Sequence, residues 1–122
     1  MANEISIASS IRVKNGNHSG GPWKGSFKAD QSGLGGGAPG KVALTTSEEQ
    51  IDFGELTSAG WVWIKNIGDT NAAQIGFASS FTSGIQIDAG QTAGPFKLIA
   101  SSSVYAKSAA STTTLQFIAL EA

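Results

Sequence analysis

Trp61-Val62-Trp63-Ile64-Lys65-Asn66-Ile67, then Gly68-Asp69-Thr70-Asn71, then Ala73-Gln74-Ile75-Gly76-Phe77-Ala78, sets the rhythm of this chain. On an extended backbone Trp61, Trp63 and Ile67 fall on one side and Val62 and Ile64 on the other. A run apolar on both faces reads as a strand central to a sheet. The next four residues carry the chemistry of a hairpin-type loop, and Ile75 and Phe77 then share a face of the returning strand. Because Ile67 continues the side of Trp61 and Trp63, that side is expected to enter the core. The competing reading is an outward aromatic platform, whose apolar ring faces suit a pyranose.

The same alternation extends in both directions. Val42 and Leu44, Ile51 and Phe53, Ile85 and Ile87, and Phe96 and Leu98 each mark a strand face. Val104-Tyr105-Ala106 marks another, and the closing strand sets Leu115 and Phe117 against Ile118 and Leu120. Glu4 to Lys14 opens the chain as a strand, with Ile5 and Ile7 on one face and Ile11 and Val13 flanking a weaker middle. Ser47-Glu48-Glu49-Gln50 resembles a capping box, but Gly54 and the β-favouring Ile51-Asp52-Phe53 point to a loop running into a strand. About eight or nine strands at intervals of about 10 residues predict an all-β sandwich or barrel.

One stretch breaks the rhythm. Nine of the 16 glycines lie between Asn15 and Gly40, opening with the turn signal Asn15-Gly16. Trp23, Phe27 and Leu34 are its large apolar residues. Burying each yields roughly 1.5–3 kcal/mol, whereas fixing each backbone unit costs roughly 1–2 kcal/mol, over a span of 26 residues. The expectation is an extended glycine-rich arm, residues 1–40 with the opening strand, on a sandwich body of residues 41–122, one domain in all. Such an arm is either mobile or laid against another molecule. Trp23 beside Pro22 is the kind of anchor found at interface hot spots. The predicted interface residues are Trp23, Phe27, Leu34, Ile5 and Ile7.

Composition argues against several classes of function. The formal charge is −1 and the eight basic residues are scattered, so neither nucleic acid nor a membrane surface is an expected partner. Cysteine is absent, and with it any disulfide framework or thiolate metal site. Met-Ala-Asn-Glu-Ile lacks the basic and apolar regions of a secretory signal, and no apolar run nears the roughly 20 residues that span a bilayer. A soluble protein made in a cytoplasm is the expectation.

The chemical motifs are weak. Gly35, Gly37 and Gly40-Lys41 mimic a phosphate loop, but Val42 stands where Ser or Thr should, and a strand rather than a helix follows. His18 is the one histidine. Glu48, Glu49, Asp52 and Glu55 read as a solvated loop patch rather than a glycosidase pair, and Asp69 and Asn71 as turn formers rather than calcium ligands. No catalytic residue, metal ligand or cofactor site is predicted, and the chain is not expected to be an enzyme.

Gly60-Trp-Val-Trp-Ile-Lys-Asn-Ile-Gly-Asp-Thr-Asn-Ala-Ala-Gln-Ile-Gly-Phe, Phe96-Lys-Leu-Ile-Ala-Ser-Ser-Ser-Val-Tyr-Ala-Lys and Leu115-Gln-Phe-Ile-Ala-Leu-Glu-Ala carry a resemblance. Over about Ile51 to Ala122 the chain resembles small head decoration, or cement, proteins of tailed bacteriophages. The resemblance implies a jelly-roll-like β-sandwich of the virion, bound to the capsid surface, with the major capsid protein or another virion protein as partner. It implies no catalytic residues. A homo-oligomer, three copies about an axis, is expected with it. The alternative is a carbohydrate- or receptor-binding module of a phage tail tip or adhesin.

Overall fold

The computed structural model describes residues 4–29, 40–53, 59–99 and 102–121. Among them are ten strands and no helix. Contacts divide the chain into two compact units, Met1–Leu34 and Gly35–Ala122. The smaller holds β1 (Ile5–Asn15) and β2 (His18–Ala29). The larger holds β3 (Gly40–Leu44), β4 (Glu49–Gln50), β5 (Ala59–Asn66), β6 (Ala73–Gly76), β7 (Ile85–Ile87), β8 (Thr92–Lys97), β9 (Tyr105–Ser108) and β10 (Thr113–Glu121).

Pairing in the larger unit is nested. β3 pairs with β10, β4 with β9, β5 with β8 and β6 with β7, all antiparallel. Two further ladders, β10 with β5 and β6 with β9, complete the sheets β3-β10-β5-β8 and β4-β9-β6-β7. A long antiparallel hairpin whose successive pairs fall alternately in opposite sheets has this order, which is that of a jelly roll. The eight-stranded jelly-roll sandwich expected above is the fold of this unit.

Its core lies between the sheets. Leu44, Val62, Ile64, Leu115, Phe117 and Ala119 enter from one side and Ala73, Ile75, Ile87 and Ala106 from the other. On β10 the buried residues alternate as expected, with Ile118 turned outward. On β5 the expectation is reversed. Val62, Ile64 and Asn66 are the buried set, and Trp61 and Trp63 stand half-buried on the outer face with Lys65. Lys65 shares their parity, and a lysine without a buried partner turns its side of the strand outward.

The segment after β5 is not a hairpin loop either, since it carries the chain from one sheet to the other. Asn66, fully buried, fastens that crossing. Its Nδ2 donates to Asn71 O and Ile87 O, each at 2.9 Å. Its Oδ1 accepts from the Gly68 amide at 3.0 Å and the Thr113 hydroxyl at 2.7 Å. Its own backbone bonds to Gly90 and Gln91 in the loop between β7 and β8. Asn71 continues the chain of contacts by donating from Nδ2 to Thr112 O at 2.8 Å. Three sheet-crossing segments therefore meet at one buried amide.

Candidate functional site

Residues Asn15 to Ala29 are not without a partner in their own chain. β2 pairs with β1 along nearly its whole length, from Ile5 opposite Ala29 to Asn15 opposite His18. This corrects the expectation drawn from the glycine count, which weighed the apolar groups of the stretch and not the strand beside it. Gly16, φ +56°, takes the first central position of the two-residue turn, where a type II′ hairpin requires positive φ. The eleven residues of β1 make a ribbon about 35 Å long.

Directly opposed residues of an antiparallel pair point to the same face. One face therefore carries the pairs Ile5 and Ala29, Ile7 and Phe27, Ser9 and Gly25, Ile11 and Trp23. The other carries Ser6 and Lys28, Ala8 and Ser26, Ser10 and Lys24. Beyond Ile11 the register shifts, and Val13 faces Gly20. Gly21, φ +91°, and Pro22 supply the extra residue of that bulge. A Cβ on Gly20 would lie 2.7 Å from the Trp23 indole, so the ring lies along the glycine backbone, a position no side chain there would permit.

Four of the five residues predicted from sequence as interface groups meet on this face. Ile5 and Ile7 are buried, whereas Trp23 is 58% exposed and Phe27 50%. The sequence reading missed Ile11, at 68% exposed; its parity with Ile5 and Ile7 was the available signal. Leu34 lies outside the described residues. An isolated two-stranded ribbon is marginal in water, and one with isoleucine, tryptophan and phenylalanine on a single face has the composition of an interface core.

The other motifs resolve into architecture. Glu48 accepts the amides of Ser80 and Phe81 at 2.9 and 3.2 Å, pinning the loop between β6 and β7. Lys107 Nζ sits 4.7 Å from the Phe81 ring centre. Gly40 opens a strand, and Gly35 and Gly37 lie outside the described residues, as does Glu55. Among the described residues no group of three His, Asp or Glu could hold a metal ion.

Compared with known proteins, the chain matches no family model, no curated protein and no solved structure.

Proposed function

We propose that this chain is a non-enzymatic structural protein of a bacteriophage virion, a decoration or cement protein seated on the outside of the head. The observation that carries the reading is the ribbon of β1 and β2, whose apolar face holds Ile11, Trp23 and Phe27 at half exposure or more. A face of that composition suits contact with protein rather than turnover of a substrate. Many weak contacts repeated over a shell act together, so one short ribbon per copy is enough. The blocks that carry the resemblance hold the β5 corner with Asn66 and Asn71 and the closing strand, so they support the fold side of the reading more than any particular partner.

The experiment is to mix the purified protein with bare shells of the major capsid protein encoded alongside it. Co-sedimentation with the shells, and a higher temperature of shell rupture, are expected. Shells that sediment without it, at saturating protein, would remove the reading.

The outward placement of Trp61 and Trp63, two positions apart on one face of the β3-β10-β5-β8 sheet, favours a second reading, a glycan-binding module. Titration with a panel of saccharides while following tryptophan emission separates the two. Saturable quenching lost in Trp63→Ala supports the glycan platform, and its absence with every sugar removes it.

A further inference from the structure

We infer that the polar face of the ribbon binds the phosphate backbone of a nucleic-acid duplex. The inference goes beyond the protein contact proposed for the apolar face and does not depend on it. Along the sequence the basic residues are scattered, which is why no nucleic-acid partner is expected from them. The ladder between β1 and β2 gathers half of them. Lys28 stands opposite Ser6 and Lys24 opposite Ser10, on the face that also holds Ala8 and Ser26. Arg12 and Lys14 follow Ser10 at the same parity of β1, with Lys14 opposite Ser19. The extra residues of the bulge belong to β2, so the alternation of β1 runs on past it. All four cations are exposed, and neither strand contains an Asp or Glu. With a formal charge of −1 for the whole chain, the residues outside the ribbon together carry −5. The fold has separated charges that the sequence intermixes.

The composition of the face selects the class of partner. Lysine, serine and alanine are residue types in which protein interfaces are depleted, and this face has no large aromatic or aliphatic anchor. The same lack leaves nothing to enter a lipid surface. Arginine, lysine and hydroxyl side chains are, by contrast, the groups that contact phosphate oxygens. Between the cations the ribbon has an open waist. A recess of about 510 Å³ is lined by Ala8, Ser9, Ser10, Lys24, Gly25 and Ser26. Its walls are small, so a sugar-phosphate backbone can approach the hydroxyls of Ser10 and Ser26 with the Lys24 ammonium beside it.

The geometry sets the strength. From the Ser6 row to the Lys14 row is about 27 Å of strand, within one helical turn of a duplex, about 34–36 Å. The major groove admits a two-stranded ribbon. Arg12 and Lys14 come from β1 and Lys24 and Lys28 from β2, so charge is available along both edges of the face, toward the phosphates on either side of a groove. Four neutralised phosphates give a slope of log affinity against log salt of about −3.6, a fall of about a hundredfold between about 50 and about 200 mM salt. Backbone contacts carry no sequence information, so binding is indifferent to base sequence and weak at physiological salt, with dissociation at about 1–100 µM.

Fluorescence anisotropy of a labelled DNA duplex of about 20 base pairs, two helical turns, titrated with the full chain over that salt range, tests this. The expected result is saturable binding with a slope of about −3 to −4, the same for two duplexes of unrelated sequence. Lys24→Gln with Lys28→Gln should bring the slope to about −2 and weaken binding at least tenfold at about 50 mM salt. Lys97→Gln, at an exposed lysine of the roll, should change neither. If the double variant misfolds by circular dichroism, Arg12→Gln with Lys14→Gln gives the same readout from β1. No binding by about 100 µM protein at about 50 mM salt, a slope that the ribbon variants leave unchanged, or an equal loss in Lys97→Gln would each overturn the inference. So would binding to polyglutamate or to phosphatidylserine vesicles without binding to the duplex. Shell binding is read separately, so a protein that coats shells and ignores the duplex refutes only this inference.

Discussion

Replacing Asn66 by alanine tests the corner on which the roll turns. The side chain makes four hydrogen bonds, two donated to Asn71 O and Ile87 O and two accepted from Gly68 N and Thr113 Oγ1. The Ile87 and Thr113 bonds are buried, whereas the Asn71 and Gly68 bonds lie where water has partial access. A buried polar group left without its partner costs about 1–3 kcal/mol. Two such groups, together with two that water can partly satisfy, give an expected loss of about 3–5 kcal/mol. That is a large part of the roughly 5–15 kcal/mol that holds a domain folded. Urea unfolding reads it as a lower midpoint at unchanged slope. Thr113→Val, which removes one of the four hydrogen bonds of the Asn66 side chain, should cost only about 1 kcal/mol. Asn66→Asp adds a test of sign. The carboxylate oxygen replacing Nδ2 would face two carbonyl oxygens, so the folded state would favour the protonated acid and raise its pKa above the unfolded value of about 3.9. The variant should then hold its stability below about pH 3.9 and lose it relative to wild type as pH rises through the folded pKa. An Asn66→Ala loss under about 1 kcal/mol, or an Asn66→Asp variant whose deficit shrinks with rising pH, refutes the corner as described.

Gly68→Ala would drive a Cβ into the Thr113 hydroxyl, so a loss of about 1–3 kcal/mol is expected in the same unfolding assay. Glu48→Gln keeps one carbonyl oxygen for the two amides of Ser80 and Phe81 and removes the charge. Hydrogen exchange of those two amides should quicken about fivefold, for about 1 kcal/mol of local opening. Ile64→Ala, in the core, should cost about 2–5 kcal/mol, and Trp63→Ala on the outer face less than half of that. A larger loss at Trp63 would restore the inward placement of the tryptophans.

How far the fold could be read from the chain depended on contrast between faces. The first half of β10 sets Leu115 and Phe117 against Thr114 and Gln116, and β3 sets Val42 and Leu44 against Lys41 and Ala43; Leu115, Phe117 and Leu44 are buried as that contrast predicts. β5 has apolar residues at both parities, so periodicity alone could not orient it. Continuing the tryptophan face to Ile67 passed over Lys65 at the same parity, the one residue of that set with a charge. β2 was hidden for another reason. Its glycines at 20, 21 and 25 leave too few side chains to show an alternation, and its strand character resides in the ladder to β1. The nested pairing was equally out of reach, because about ten-residue spacing suits a barrel as well as a roll. What separates them is the nested pairing of β4 with β9 and β5 with β8 across two sheets, since a closed barrel pairs its first and last strands as well.

The four edges of the two body sheets bear on where partners can bind. β4 and β7 are two and three residues long. β8 is interrupted by Gly94, φ +93°, and by Pro95, which has no amide to donate. Only β3, five residues, offers an edge of ordinary length. Among the described residues the roll thus gives little room for strands added from outside, which turns the proposed association toward faces. On the ribbon the two faces differ sharply in kind. Ser6, Ser10, Ser26, Lys24 and Lys28 suit water on one side, while Ile11, Trp23 and Phe27 occupy the other at half exposure or more. Ile11 opposite Trp23 and Ile7 opposite Phe27 add roughly 0.2–1 kcal/mol each to the ribbon itself, a modest return for leaving so much apolar surface in water. Glycines at 20 and 21 moreover make room for the indole, and glycine in a strand is itself costly. A strand weakened by glycine to hold a tryptophan at 58% exposure gains apolar burial if a partner covers that ring, which is the support these residues lend to the proposed protein contact.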